Sequence, residues 1–151
     1  MTQPMDKAFN CMVMTMANIT APSWTVSEDA PETFDELVKV SKERGQIVVW
    51  NGASDNTIFG EPEFNYAFRA WHDSAHIRAN AYFTKAGEVE ACQQQIEDMY
   101  ARYGVSAQTE KWAQMIRIEV IGQAMHFEQT GTFPEDQRAF MRDMLAVDAF
   151  A

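Results

Sequence analysis

Apolar residues recur at helical spacing through most of this chain. Between Glu32 and Arg44, Phe34, Leu37, Val38 and Ser41 share one face, and Gly45 stands where a C-terminal cap belongs. The run Gln46-Ile47-Val48-Val49-Trp50 is too short for a helix and reads as a buried strand, closed by Asn51-Gly52. Three long helices are predicted after it, from Pro62 to about Ala81, from about Lys85 to Tyr103, and from Ala107 to about Thr130. Pro62 suits a first helical turn, Thr84 and Ser106 are caps, and Gly104 and Gly131 are stops. A last helix is predicted from Pro134 or Glu135 to about Val147.

Residues 1–31 carry no decisive period. Cys11-Met12-Val13-Met14-Thr15-Met16 alternates only loosely and serves a helix or a strand equally, while Ala21-Pro22-Ser23 and Ala30-Pro31 punctuate the segment. It is expected to be irregular or loosely packed. The pattern as a whole predicts a mainly α fold, a compact helical bundle in a single domain over 1–151, with a short strand or hairpin near residues 46–59.

Composition narrows the function classes. An apolar fraction of 46% over 151 residues supplies a core that needs no staples. Cys11 and Cys92 are isolated, and no basic, then apolar, leader opens the chain, so reduced thiols and a cytoplasmic location are expected. No apolar run is long enough to span a membrane. The net charge of −10, without a Lys/Arg-rich run, argues against nucleic-acid binding through a basic face.

The candidate chemistry lies in the histidines. There are three, His72, His76 and His126. His72 and His76 are four apart on one predicted helix, so they share a face, and that face also carries Phe68, Ala75 and Ala79. Paired imidazoles one turn apart are how a helix presents metal ligands. On the third helix the stripe Trp112, Met115, Ile116 continues into Glu119, Gln123 and His126. Polar groups on an inward face are costly unless they serve one another or an ion. Glu88, one turn into the second helix behind Gly87, is the fourth element, and a close backbone approach is one reason for that glycine. Each feature also has a purely structural explanation: Glu88 complements a helix dipole, and Glu119 can pair with Arg69 or Arg117.

The stretch Phe68-Arg69-Ala70-Trp71-His72-Asp73-Ser74-Ala75-His76 resembles a motif of uncharacterised tailed-bacteriophage proteins. In these an F-R-A-x-H-D helix with a second histidine is followed by an aromatic and a Gly-Glu pair, here Phe83 and Gly87-Glu88. An E-x-x-G-Q element comes later, here Glu119 to Gln123. The likeness covers about Asn51 to Phe127. It implies that Arg69, His72, Asp73, His76, Glu88, Glu119 and Gln123 are the shared residues, and it implies a phage origin and the host cytoplasm, but no particular reaction. His126 lies outside it.

Two expectations follow from different classes. In the first, His72, His76 and a carboxylate, Glu88 or Glu119, hold a divalent ion, with Zn, Mn or Fe(II) all compatible with mixed N/O ligation. Asp73 orients an imidazole or itself ligates, Arg69 receives an anionic group of a small-molecule substrate, Gln123 completes the surroundings, and the activity is hydrolysis in preference to oxygenation on iron. In the second, the chain is a small acidic protein that binds and modulates a host protein, and the polar stripe is a structural network.

Overall fold

The computed structural model describes residues 3–150. Seven α-helices and two short strands follow in the order α1 Lys7–Thr20, β1 Trp24–Ser27, α2 Phe34–Arg44, β2 Ile47–Trp50, α3 Pro62–Ala79, α4 Lys85–Tyr103, α5 Ala107–Arg117, α6 Gln123–Thr130 and α7 Gln137–Ala146. A π-helical turn, Ile118–Gly122, joins α5 to α6. The fold is thus a compact helical bundle with a strand where 46–50 predicts one. Among the described residues no helix is long and apolar enough to cross a membrane.

The N-terminal segment corrects the expectation of irregular structure. Residues 7–20 form a helix that buries Phe9, Met12, Val13, Met16 and Ala17, a clear stripe at spacings of three and four. The residues from Cys11 to Met16 satisfy both periods, and the cap decides between them: the Asp6 carboxylate accepts the Phe9 N–H at 2.9 Å. Trp24–Ser27 is also ordered, and it pairs in parallel with β2, Val26 facing Val49. The strand at 47–50 is therefore one edge of a β1–α2–β2 unit rather than half of a hairpin, with α2 as the crossover that parallel strands require. Gly45 ends α2 at φ 67°, a left-handed conformation that a residue with a side chain adopts at a cost.

α3 is the central element and packs against α1, α4, α2 and β2. Ala67, Phe68, Trp71 and Ala75 are buried along it. Trp71 and Phe68 join Phe9, Met12, Phe59, Ile96, Met99 and Ile116 in the main core, while Ala70 meets Leu37, Ile47 and Val49 in a smaller one. The register of α3 on α4 is fixed by Asp98, which accepts the Trp71 indole N–H at 3.0 Å and both terminal nitrogens of Arg78 at 2.7 and 2.8 Å. Bidentate pairing of this kind holds orientation as well as charge.

Both cysteines are free, Cys11 exposed and Cys92 buried. Burial pushes the Cys92 thiol up to about 12, with Arg117 pulling it down and Glu88 pushing the same way as burial. Only the thiolate reacts. A thiol reagent should therefore label Cys11 at once and Cys92 only on unfolding. Rapid labelling of both in the native protein would contradict this packing.

Candidate metal centre

The turn between α3 and α4 brings the site together. α3 ends at Asn80, which takes a left-handed conformation (φ 52°) and returns its N–H to the carbonyls of His76 and Ile77. Thr84 then caps α4, accepting the Gly87 N–H at 3.1 Å. This tight reversal carries the first turn of α4 back against the last turns of α3. It also explains Gly87: a Cβ there would lie 1.8 Å from the Tyr82 carbonyl oxygen. The close approach places Glu88 over the two histidines.

Three donor atoms meet. The Nε2 of His72 lies 2.8 Å from Glu88 Oε2, the Nε2 of His76 lies 3.2 Å from the same oxygen, and the two Nε2 atoms are 3.1 Å apart. Among the described residues this is the group of histidine, cysteine and carboxylate side chains with metal-ligand spacing. Each ring is held from behind. His76 Nδ1 lies 2.9 Å from the Ala81 carbonyl oxygen, and His72 Nδ1 lies 2.7 Å from Gln95 Oε1. A carbonyl only accepts, so His76 carries its proton on Nδ1, and in the neutral ring its Nε2 is a bare lone pair. The His76 side chain is 1% exposed, against 17% for His72 and 31% for Glu88, so the cluster is closed on the His76 side and open on the Glu88 side.

The electrostatics are those of a coupled group. Burial alone would raise the Glu88 carboxyl, but hydrogen bonds and charge from His72 and His76 outweigh it and hold the group at about 2. Burial alone would lower His72, and the contact with Glu88, aided by Gln95 and Asp73, raises it instead. Asp73 is pushed up to about 6, chiefly by burial and also by Glu88, against the pull of His72, His76 and Arg69.

The other candidates occupy the flank. Glu119 sits in the π-helical turn and is not one of the three clustered donors. It accepts the Gln123 side-chain N–H at 2.9 Å, and Gln123 reaches Gln137 at 3.4 Å. Arg69 is within electrostatic reach of both Asp73 and Glu119. Its guanidinium is already committed: one terminal nitrogen donates to the carbonyls of Trp50 and Gly52, each at 2.6 Å, and the other to Ala53 at 3.2 Å. Arg69 therefore ties the loop after β2 to α3 rather than offering a free fork to an anion. His126 is half-exposed with its ring edge-on to Phe140 at 5.4 Å. The π turn is the physical reason that the third-helix stripe fails to continue to His126. One extra residue in a turn rotates everything after it by about 100°.

Sequence reasoning missed Gln95. It stands on the α4 face of Ala91, Cys92, Ile96 and Met99, all buried, and an amide in that stripe seven residues after Glu88 was the available signal.

Burial lifts Glu119 to about 7, against the opposing effects of Gln123 and Arg69. The folded chain holds this proton more tightly than the unfolded one. Stability is accordingly lost as pH rises from the ordinary carboxylate range through about 7, and stays level above it. Glu119→Gln removes the loss. The variant should match the wild type near pH 4.5 and exceed it at pH 8 by about 1–2 kcal/mol after allowance for partial exposure. Denaturant melts at the two pH values measure this, and a variant weaker at pH 8 would show that the carboxylate is stabilised where it stands.

No known protein family, curated protein or solved structure matches the chain.

Proposed function

We propose that the protein binds one divalent metal ion through His72 Nε2, His76 Nε2 and the Glu88 carboxylate, and uses it to activate water for hydrolysis of a small-molecule substrate. The observation that carries this reading is the convergence of three donor atoms 2.8–3.2 Å apart, with both rings held at Nδ1 by acceptors. A carboxylate oxygen and two ring nitrogens this close together repel unless a proton or a cation lies among them, and a divalent ion satisfies all three donors at once. Donors about 3 Å apart, each about 2.1 Å from a shared ion, subtend about 90° at it, which is one face of an octahedron. Two histidines and one carboxylate on such a face leave the solvent side free for water and substrate, and Zn, Mn and Fe(II) all accept this donor set.

Hydrolysis asks for a proton acceptor beside the ion. Asp73, buried and within electrostatic reach of His72, His76 and Glu88, is the carboxylate best placed for that role. Its acidic neighbours favour a neutral or cationic substrate over a polyanion. The site requires a cytoplasm or any other compartment that supplies the ion, and the phage-protein likeness offers the host cytoplasm.

Chelator-stripped protein titrated with Zn²⁺ and with Mn²⁺ tests the reading. One ion per chain and a higher melting temperature are expected. Absence of binding for both ions would leave His72, His76 and Glu88 as a structural ion-pair network. An exposed aromatic pair, Phe127 and Phe133, with ring centroids 4.8 Å apart, would then favour the second reading, an acidic protein that docks on a host protein.

A further inference from the structure

Gln95 is a buried polar group that packing alone does not explain. It is 0% exposed on an apolar face of α4, yet its side-chain Nε2 has no hydrogen-bond partner among the described residues. Burying an amide with its donor unpaired is unfavourable, and an apolar side chain of similar volume would avoid it. A glutamine placed only for packing or for its own hydrogen bonding is a poor choice there. Among the described residues its one side-chain hydrogen bond runs from Oε1, 2.7 Å from His72 Nδ1.

The two rings of the cluster are held in the same way from different sources. The backbone carbonyl of Ala81, in the turn after α3, stands 2.9 Å behind His76 Nδ1. Among the described residues no backbone carbonyl reaches His72 Nδ1, which lies one helical turn earlier and faces α4. Gln95 supplies the missing acceptor from across the helix interface.

Resting on the metal-binding reading above, we propose that Gln95 is a positioning residue. By accepting the Nδ1–H of His72 it fixes the tautomer and the ring orientation that aim Nε2 at the ion. The Glu88 carboxylate, 2.8 Å from that Nε2, otherwise favours the opposite tautomer, in which Nε2–H donates to Glu88 and His72 cannot ligate. Gln95 and Glu88 thus compete for the His72 proton. With Oε1 held behind the ring, the proton stays on Nδ1 and the lone pair stays on the metal face. Partners of this kind behind ligating histidines are worth 10–100-fold in metal affinity.

The test uses the full chain and Zn²⁺ alone, comparing the wild type with Gln95→Leu and Gln95→Glu. Leu keeps the volume and removes the acceptor, and Glu keeps the acceptor. The expected result is a 10–100-fold weaker Zn²⁺ affinity for Gln95→Leu and recovery to within a few-fold of the wild type for Gln95→Glu. Stability should follow the reverse order, because Leu suits the apolar face and a buried carboxylate does not. The downfield proton spectrum of the zinc-loaded wild type should also show a slowly exchanging His72 Nδ1–H that Gln95→Leu loses. A purely structural glutamine would give affinities in the same order as stabilities. Equal Zn²⁺ affinity for the wild type and Gln95→Leu, with the Nδ1–H signal retained, overturns the role of Gln95 alone. No Zn²⁺ binding by the wild type overturns the metal reading and this inference together.

Discussion

His76→Ala abolishes stoichiometric binding of a divalent ion and, in the same variant, removes the difference in melting temperature between metal-loaded and chelated protein. The expectation follows from where His76 sits. Its ring is 1% exposed, its Nδ1 is held by Ala81, and its Nε2 is one corner of the three-donor face. Two remaining donors on a half-open surface do not retain an ion against water. In the wild type, metal at 100 times its dissociation constant adds about 2.7 kcal/mol of stability, which chelator withdraws. The variant also loses the edge-on contact of His76 with Phe83, 4.9 Å between centroids, so it melts lower even without metal. The diagnostic quantity is the chelator effect, large in the wild type and absent in the variant. If chelator leaves both proteins unchanged, the cluster is structural. Affinity should strengthen from pH 6 to pH 8, because the pKa of His72 is raised and the ion must displace its proton.

Gly87→Ala should destabilise the protein by about 1–3 kcal/mol and weaken metal binding at least about tenfold. The usual sign of this exchange is the opposite, since Ala in a helix is favoured over Gly by about 0.5–1 kcal/mol. Space reverses it. The added Cβ would stand 1.8 Å from the Tyr82 carbonyl oxygen, 2.8 Å from its carbon and 2.9 Å from the Tyr82 nitrogen. All three are backbone atoms, so no side chain can swing clear. The reversal between α3 and α4 must open, and the residue carried away with it is Glu88. Calorimetric melting and metal titration of the same sample report both effects. A variant as stable as the wild type would mean that the turn is looser than its hydrogen bonds indicate.

How far the sequence carries depends on whether a local signal has a competitor. The helix at 85–103 is legible because period, cap and stop agree in Thr84, the stripe Ala91, Ile96, Met99, and Gly104, and those at 34–44 and 62–79 because their period is joined by Gly45 and by Pro62. α1 is not legible from its period, because Met12, Val13, Met14 and Met16 suit a strand as well. The information lies in the single carboxylate of Asp6, just before the helix. β1 has only four residues and gains its stability from pairing with β2, a partner 23 positions away in the register Trp24 to Ile47. No local pattern reports such a contact.

The site divides along the same line. His72 and His76 are found by spacing alone, and Glu88 by the oddity of a glycine before it. An ideal helix puts His126 on the stripe of Glu119, and the π turn at Ile118–Gly122 rotates it away. Arg69 looks like an anion receptor in sequence because its three carbonyl partners, at the end of β2 (Trp50) and in the loop after it (Gly52 and Ala53), are backbone groups with no side-chain signature.

X-ray absorption at the metal edge of protein loaded with one equivalent of Zn²⁺ reads the ligands themselves. Two imidazole nitrogens and at least one carboxylate oxygen are expected at about 2.0–2.2 Å, completed by water, with loss of the imidazole signature in His76→Ala. A shell of oxygens alone, or a sulfur near about 2.3 Å, would contradict that ligand set.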